Sequence, residues 1–333
     1  MPKYAAISGL ITVLLIASAS AGCSGSDEDA PAPAGGCPDG RVVKTSAELA
    51  DELAAAKAGD VIVVAPGAYG GSFVADRAGE ASAPIVLCGE SSAVLDGGER
   101  GYTLHLDGVS HWRVQGLTVR GGAKGIVLDQ SSDNQIVDVT VERTGEEGIH
   151  LRRGSSRNLV ERSRISGTGT TRPDIGEGIY IGSAESNWCS LTDCEPDRSD
   201  ANSVIGNRIE NTTAEAIDIK EGASDGVVRG NHLDGAGSTR ADSLIDVKGN
   251  GWTIEKNTGA ASPGNGAAVF EILDGWGRAN VFRDNRFEVP ATRWAVEVFG
   301  AARAGGNVVA CSNAALVAGR PAPDRVAPRG CAG

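Results

Sequence analysis

An all-β, right-handed parallel β-helix of about ten rungs with an N-terminal capping α-helix is the fold class this sequence predicts, and three observations carry it. The first is a strand motif that recurs from about residue 100 onward: NQIVDVTVE at Asn134, NLVERSRIS at Asn158, NSVIGNRIE at Asn202, GVVRGNHLD at Gly226, WTIEKNTG at Trp252, NVFRDNRFE at Asn280 and NVVACSNA at Asn307. The second lies inside it, where Asn207, Asn231, Asn257, Asn285 and Asn313 share one register at spacings of 24, 26, 28 and 28 residues, the pattern of stacked side-chain amides along a coil. The third is a strand between the copies: GIVLD at Gly125, GIHLR at Gly148, GIYIG at Gly178, AIDIK at Ala216, LIDVK at Leu244 and AVEVF at Ala295. Its apolar residues alternate with polar ones, so Ile149 and Leu151 point inward while His150 and Arg152 point out. Segments this short, β-branched and bounded by glycine exclude a helical solenoid.

In chain order, residues 1–22 read as a signal peptide: Lys3 gives a basic start, and the apolar run from Leu10 to Ala17 is too short to span a bilayer. Two cleavage readings are open. Ala19-Ser20-Ala21 fits ordinary signal peptidase, while Ser20-Ala21-Gly22-Cys23 resembles a bacterial lipoprotein box. Seven cysteines are odd for an exported chain, and setting Cys23 aside as a lipid-bearing residue leaves six that can pair. A lipid-anchored cell-surface protein is therefore expected, with full secretion as the alternative. Residues 23–36, rich in Pro, Gly and acid, form a flexible tether. The β-helix domain spans 37–333. It opens with TSAELADELAAAKAGD, where Thr45 and Glu48 have capping-box spacing and Leu49, Leu53 and Ala56 share a face that would cover the open end of the coil. Strands VIVVAPG, PIVLCGE and TLHLDG follow. The six cysteines fit local staples, Cys37 with Cys88, Cys189 with Cys194 and Cys311 with Cys331.

A net charge of -12 and 4% aromatic content exclude a nucleic-acid binder, which needs a basic face and stacking platforms. An acidic polysaccharide would be repelled by the chain as a whole, so binding one requires a local basic column or a bridging divalent cation.

GDVIVVAPGAYGG, followed by APIVLCGESSAVLDGG, resembles the opening of the pectate-lyase-like superfamily, nearest to the family of alginate lyases and chondroitinase B. A second point of resemblance is EAIDIK, Glu215 to Lys220. In that family a calcium-binding glutamate precedes the catalytic lysine by five residues, the spacing of Glu215 and Lys220. The resemblance implies a polysaccharide lyase acting on an acidic polymer, with Ca²⁺ as a cofactor. Two departures stand out: the next rung offers Lys248 where the family has arginine, and Thr213 replaces the family's second glutamate.

In register, residues on successive rungs stack about 4.8 Å apart. Glu147, Glu177 and Glu215 form one column, His150, Tyr180, Asp218 and Asp246 a second, and Arg152, Gly182, Lys220 and Lys248 a third. Stacked carboxylates repel unless a cation sits between them, so Glu147, Glu177 and Glu215 are the candidate Ca²⁺ ligands; the bland reading is a solvated rim. Lys220 is the candidate base, its pKa expected to be lowered by Lys248 and Arg152, with Tyr180 or His150 protonating the leaving oxygen. Structural ion pairing alone could equally explain Asp218, Lys220, Asp246 and Lys248. Asp218 and Asp246 are candidate substrate-binding residues, and Trp188, in an inserted loop from Ser183 to Asp200, is a candidate sugar platform or a packing residue. The competing readings are a non-catalytic glycan-binding or scaffold protein and a glycoside hydrolase using Asp218 and Asp246. A monomer is expected.

Overall fold

The computed structural model describes residues 36–333. The expected signal peptide, Cys23 and all of the tether but Gly36 lie outside the described residues. Within them the chain coils through three sheets in a repeating order, parallel except for the final pair Ala314–Val317 and Arg320–Pro321, so that parallel neighbours in a sheet are one rung apart in sequence. The first and third sheets hold eleven strands each and the second holds nine, in keeping with a coil of about ten rungs. Pairing is in strict register: Ile136 faces Val160, Ile165 faces Ile209 and Ile217 faces Ile245. Each inward residue therefore lands on its counterpart one rung away, and the core is a continuous stack of Ile, Leu and Val from Leu49 to Ala315.

Asparagines fix the corners between the first and third sheets. Asn207, Asn231, Asn257 and Asn285 each take the Oδ1 of the next asparagine onto their backbone N–H, at 2.8–3.1 Å, and donate Nδ2 to it as well. A second ladder runs through Asn134, Asn158 and Asn202 at the start of the motif. It breaks at Gly226, where any Cβ would meet the indole of Trp252 at 2.2 Å. A buried tryptophan replaces the amide there, and the hydrogen bonds resume with Asn280.

The expected cap forms as Ser46–Ala55, with the reciprocal Thr45–Glu48 capping box and with Leu49 and Leu53 wholly buried. All three disulfides pair as expected. The inserted loop is less irregular than its sequence suggests, since Glu185–Leu191 is a short helix. Among the described residues no helix is long and apolar enough to cross a membrane.

Candidate active site

The site grows from the outward positions of the second sheet. Strands Ile149–Arg152, Ile179–Ile181, Ile217–Ile219 and Ser243–Val247 pair so that His150, Tyr180, Asp218 and Asp246 stand on consecutive rungs, as the register predicts. Beside them Gly182 donates its N–H to Leu151, Lys220 to Ile181 and Lys248 to Ile219, which puts these three in one column after Arg152. Gly182 is held at a φ of +80°, a conformation that favours glycine, so the column has a gap next to Lys220.

Four charges lock together on adjacent rungs. Lys220 Nζ reaches Asp218 Oδ2 at 2.7 Å, and Lys248 Nζ reaches Asp218 Oδ1 at 2.8 Å and Asp246 Oδ2 at 3.0 Å. Ser243 donates its hydroxyl to Asp246 Oδ1 at 2.6 Å. All four oxygens of the two aspartates are thus engaged inside the protein. This corrects their expected role: every oxygen already has a partner and both side chains are buried, so Asp218 and Asp246 position the lysines and do not face a sugar, which also weakens the basis for a hydrolase built on them. Lys220, with 16% of its side chain exposed, is the most open of the quartet, and its ammonium lies 5.0 Å from the Tyr180 ring centroid.

The protonation of Lys220 runs opposite to expectation. Burial disfavours the charge on both lysines, but the carboxylate of Asp218, joined by Asp246 at Lys248, outweighs it and holds both ammoniums above the ordinary lysine value. Arg152 takes no part. It forks onto Asp129 at 2.7 and 3.1 Å and donates to the Tyr102 hydroxyl at 2.8 Å, in a separate network with His105.

His150 is also corrected. Its Nε2 donates to the Gly182 carbonyl at 2.9 Å, and its ring meets Tyr180 edge-on at 4.5 Å. Burial first, then Lys124 and Arg152, push the imidazole well below its ordinary pKa. It is a neutral buttress for Tyr180, with its one N–H given to the Gly182 carbonyl. Trp188 is 5% exposed and donates Nε1 to Ser183 at 2.9 Å, so it packs the loop onto the coil and offers no platform.

Of the three glutamates, Glu147 is claimed by Lys124, an ion-pair partner that the sequence reading missed. Glu177 and Glu215 remain. Burial, with Asp218 the largest charge effect on each, pushes both carboxyls up to about 8, and Glu177 Oε2 is buried with no hydrogen-bond partner. Carboxylate oxygens of Glu177, Glu215 and Asp218, and those of Glu215, Asp242 and Asp246, lie within 4.8 Å of one another. Ca²⁺ asks for six to eight oxygen ligands. Here Asp218 and Asp246 are consumed by lysines, two ammoniums stand against any cation, and only Glu177, Glu215 and the exposed Asp242 are left. The donor set does not fit the expected Ca²⁺. Four carboxylates facing two ammoniums leave two negative charges, and protons on Glu177 and Glu215 balance them.

Residues 100–271 match the family described as right handed beta helix region. Among solved structures the chain is similar to the alginate lyase from Paenibacillus sp. str. FPU-7, at 34% identity over 84% of this chain and 93% of that one, with a TM-score of 0.75. It is similar to the pectate lyase Pel9A at 14% identity, over 74% of this chain and 68% of that one, with a TM-score of 0.58. PfbA, a surface adhesin of Streptococcus pneumoniae, is similar at 14% identity, over 80% and 74%, with a TM-score of 0.56. The last two likenesses show the fold alone. No curated protein matches the sequence.

Proposed function

The chain belongs to the right-handed β-helix family, and from that premise we propose that it is an exported polysaccharide lyase that cleaves an acidic, uronate-containing polymer by β-elimination. The expected likeness to pectate-lyase-like right-handed β-helix proteins is borne out. The observation that carries the reading is the pair of protonated lysines, Lys220 and Lys248, held on one carboxylate beside Tyr180 and Glu177 on an outward face.

β-Elimination needs positive charge at the uronate carboxylate, a base for the proton on the carbon bearing it, and an acid for the departing oxygen. Lys220 and Lys248 supply the charge, which stabilises the enolate-like intermediate. Glu177 supplies the base: its carboxyl, pushed up to about 8, ionises near working pH, and Oε2 has no competing partner. Tyr180, raised well above its ordinary value by burial and then by Asp218 and Glu177, keeps its proton and supplies the acid. Glu177 takes one proton as the C–H pair becomes the new C=C bond. The bond to the leaving oxygen breaks, and Tyr180 gives that oxygen a proton. No step passes through a metal. Three disulfides support export to an oxidising compartment, and a lipid on Cys23 is the proposed anchor.

The test is the rate of ultraviolet absorbance from unsaturated uronate, with alginate as first substrate, for Lys220→Ala, Tyr180→Phe and Glu177→Gln. Each is expected to lose at least about a hundredfold in kcat. Wild-type rates in all three would remove the assignment. A non-catalytic glycan-binding protein is the second reading, favoured by the closure of the quartet, whose side chains are at most 16% exposed.

A further inference from the structure

The column of lysines does not end at Lys248. Phe270 donates its N–H to Val247 and Phe299 donates to Val269, the same step that places Lys248 on Ile219, so Lys220, Lys248, Phe270 and Phe299 occupy one register on four consecutive rungs. The two phenyl rings are stacked, with centroids 4.7 Å apart and planes 6° from parallel, and both remain partly exposed. Shortly after Phe270 the chain exposes Ile272 at 59% and Leu273 at 37%, so apolar surface joins the outward face here, with Glu271 and Asp274 held by Arg278, and with Glu297 at the outward position of the next rung. Trp294, on the other edge of this rung, is occupied: Arg325 lies 5.0 Å from its ring centroid.

We propose that Phe270 and Phe299 form an aromatic subsite that binds a pyranose unit of the same acidic polymer, beyond the unit held at Lys220 and Lys248. The inference rests on the reading of this face as a polyuronate groove. Rungs advance by about 4.8 Å, so Phe299 lies about 14 Å from Lys220, a span of two to three linked sugars. The apolar C–H faces of a pyranose match aromatic surface, and the positive ring edges match its oxygens. A polymer anchored here gains contact that does not depend on charge, which a chain of -12 net charge needs in order to hold an anion. The face therefore has a direction, with chemistry at its charged end and grip at its aromatic end.

The experiment is calorimetric titration of wild type, Phe270→Ala, Phe299→Ala and the apolar, non-aromatic Phe299→Leu with a uronate monosaccharide and a uronate hexasaccharide, with cleavage followed separately by ultraviolet absorbance. The hexasaccharide should bind about three- to tenfold more weakly to each variant, while the monosaccharide, too short to reach from the lysines to the rings, binds all four proteins alike. Equal hexasaccharide affinity in Phe299→Leu and wild type overturns the subsite, even where cleavage proceeds. Weakened binding without any cleavage upholds the subsite while the lyase reading falls. If wild type binds neither ligand, both fall.

Discussion

Asp218→Asn removes the one carboxylate on which both lysines rest, and its cost can be worked from the contacts. Lys248 keeps Asp246 at 3.0 Å, but Lys220 loses its only acidic partner among the described residues while most of its side chain stays covered. Breaking one side of a buried ion pair destabilises by about 3–5 kcal/mol, because a charge is left uncompensated. Urea unfolding should show that loss as a lower midpoint with an unchanged slope. The comparison is Asp133→Asn, whose partner Arg157 is 59% exposed and whose loss should cost about 1 kcal/mol or less. The pH dependence has a definite sign. Asp218 is held below the ordinary aspartate value by Lys220 and Lys248 against the opposing effect of burial, so its stabilisation is present above that value and fades as pH falls through the lowered one. The gap between wild type and Asp218→Asn should hold across neutral pH and close only in strong acid. A cost no larger than that of Asp133→Asn would refute the reasoning, since the quartet would then be a solvated surface pair.

Three other outcomes follow from the same geometry. The lyase rate should rise with pH through about 8 as Glu177 ionises, and a rate flat across that range in wild type would remove Glu177 as base. Stability should fall over the interval from the ordinary glutamate value to about 8, because the folded state holds protons on Glu177 and Glu215 that the unfolded chain has released; thermal unfolding across pH checks this, and Glu177→Gln with Glu215→Gln should flatten the slope. Asn257→Ala removes the acceptor for both the backbone and side-chain N–H of Asn231, and two buried donors left unpaired predict a loss of about 2–6 kcal/mol in urea unfolding, against little change for Asn187→Ala on the loop helix.

The fold was legible because a β-helix writes its register into the chain: one asparagine ladder, the capping box and the order of the outward columns all follow from spacing alone. What spacing does not convey is how far a neighbouring side chain reaches. Glu147 seemed free for a cation because the strand was read from Gly125; starting it one residue earlier brings in Lys124, which sits on the rung before Glu147 and pairs with it. Outward position was equated with exposure for His150, yet the Gly182 carbonyl and the Tyr180 ring cover it. The sign of the Lys220 shift was missed for a similar reason. A neighbouring lysine lowers a pKa, but Asp218 lies between the two and outweighs it. Phe299 closes the copy AVEVF at the position of Lys220 and Lys248 but was not carried into their column, and the strand Asn265–Val269 before Phe270 was not recognised as a copy, while Trp188 stood out only by residue type.

The most direct measurement is the ultraviolet absorbance of unsaturated uronate when the wild-type protein is mixed with alginate, pectate and glycosaminoglycans, each with a chelator and with added Ca²⁺. The account expects absorbance to rise with at least one of these polymers at the same rate under both conditions, because ammoniums and not a metal neutralise the substrate. No rise with any of them would contradict the lyase, and a rise abolished by the chelator would contradict the charge assignment at Lys220 and Lys248.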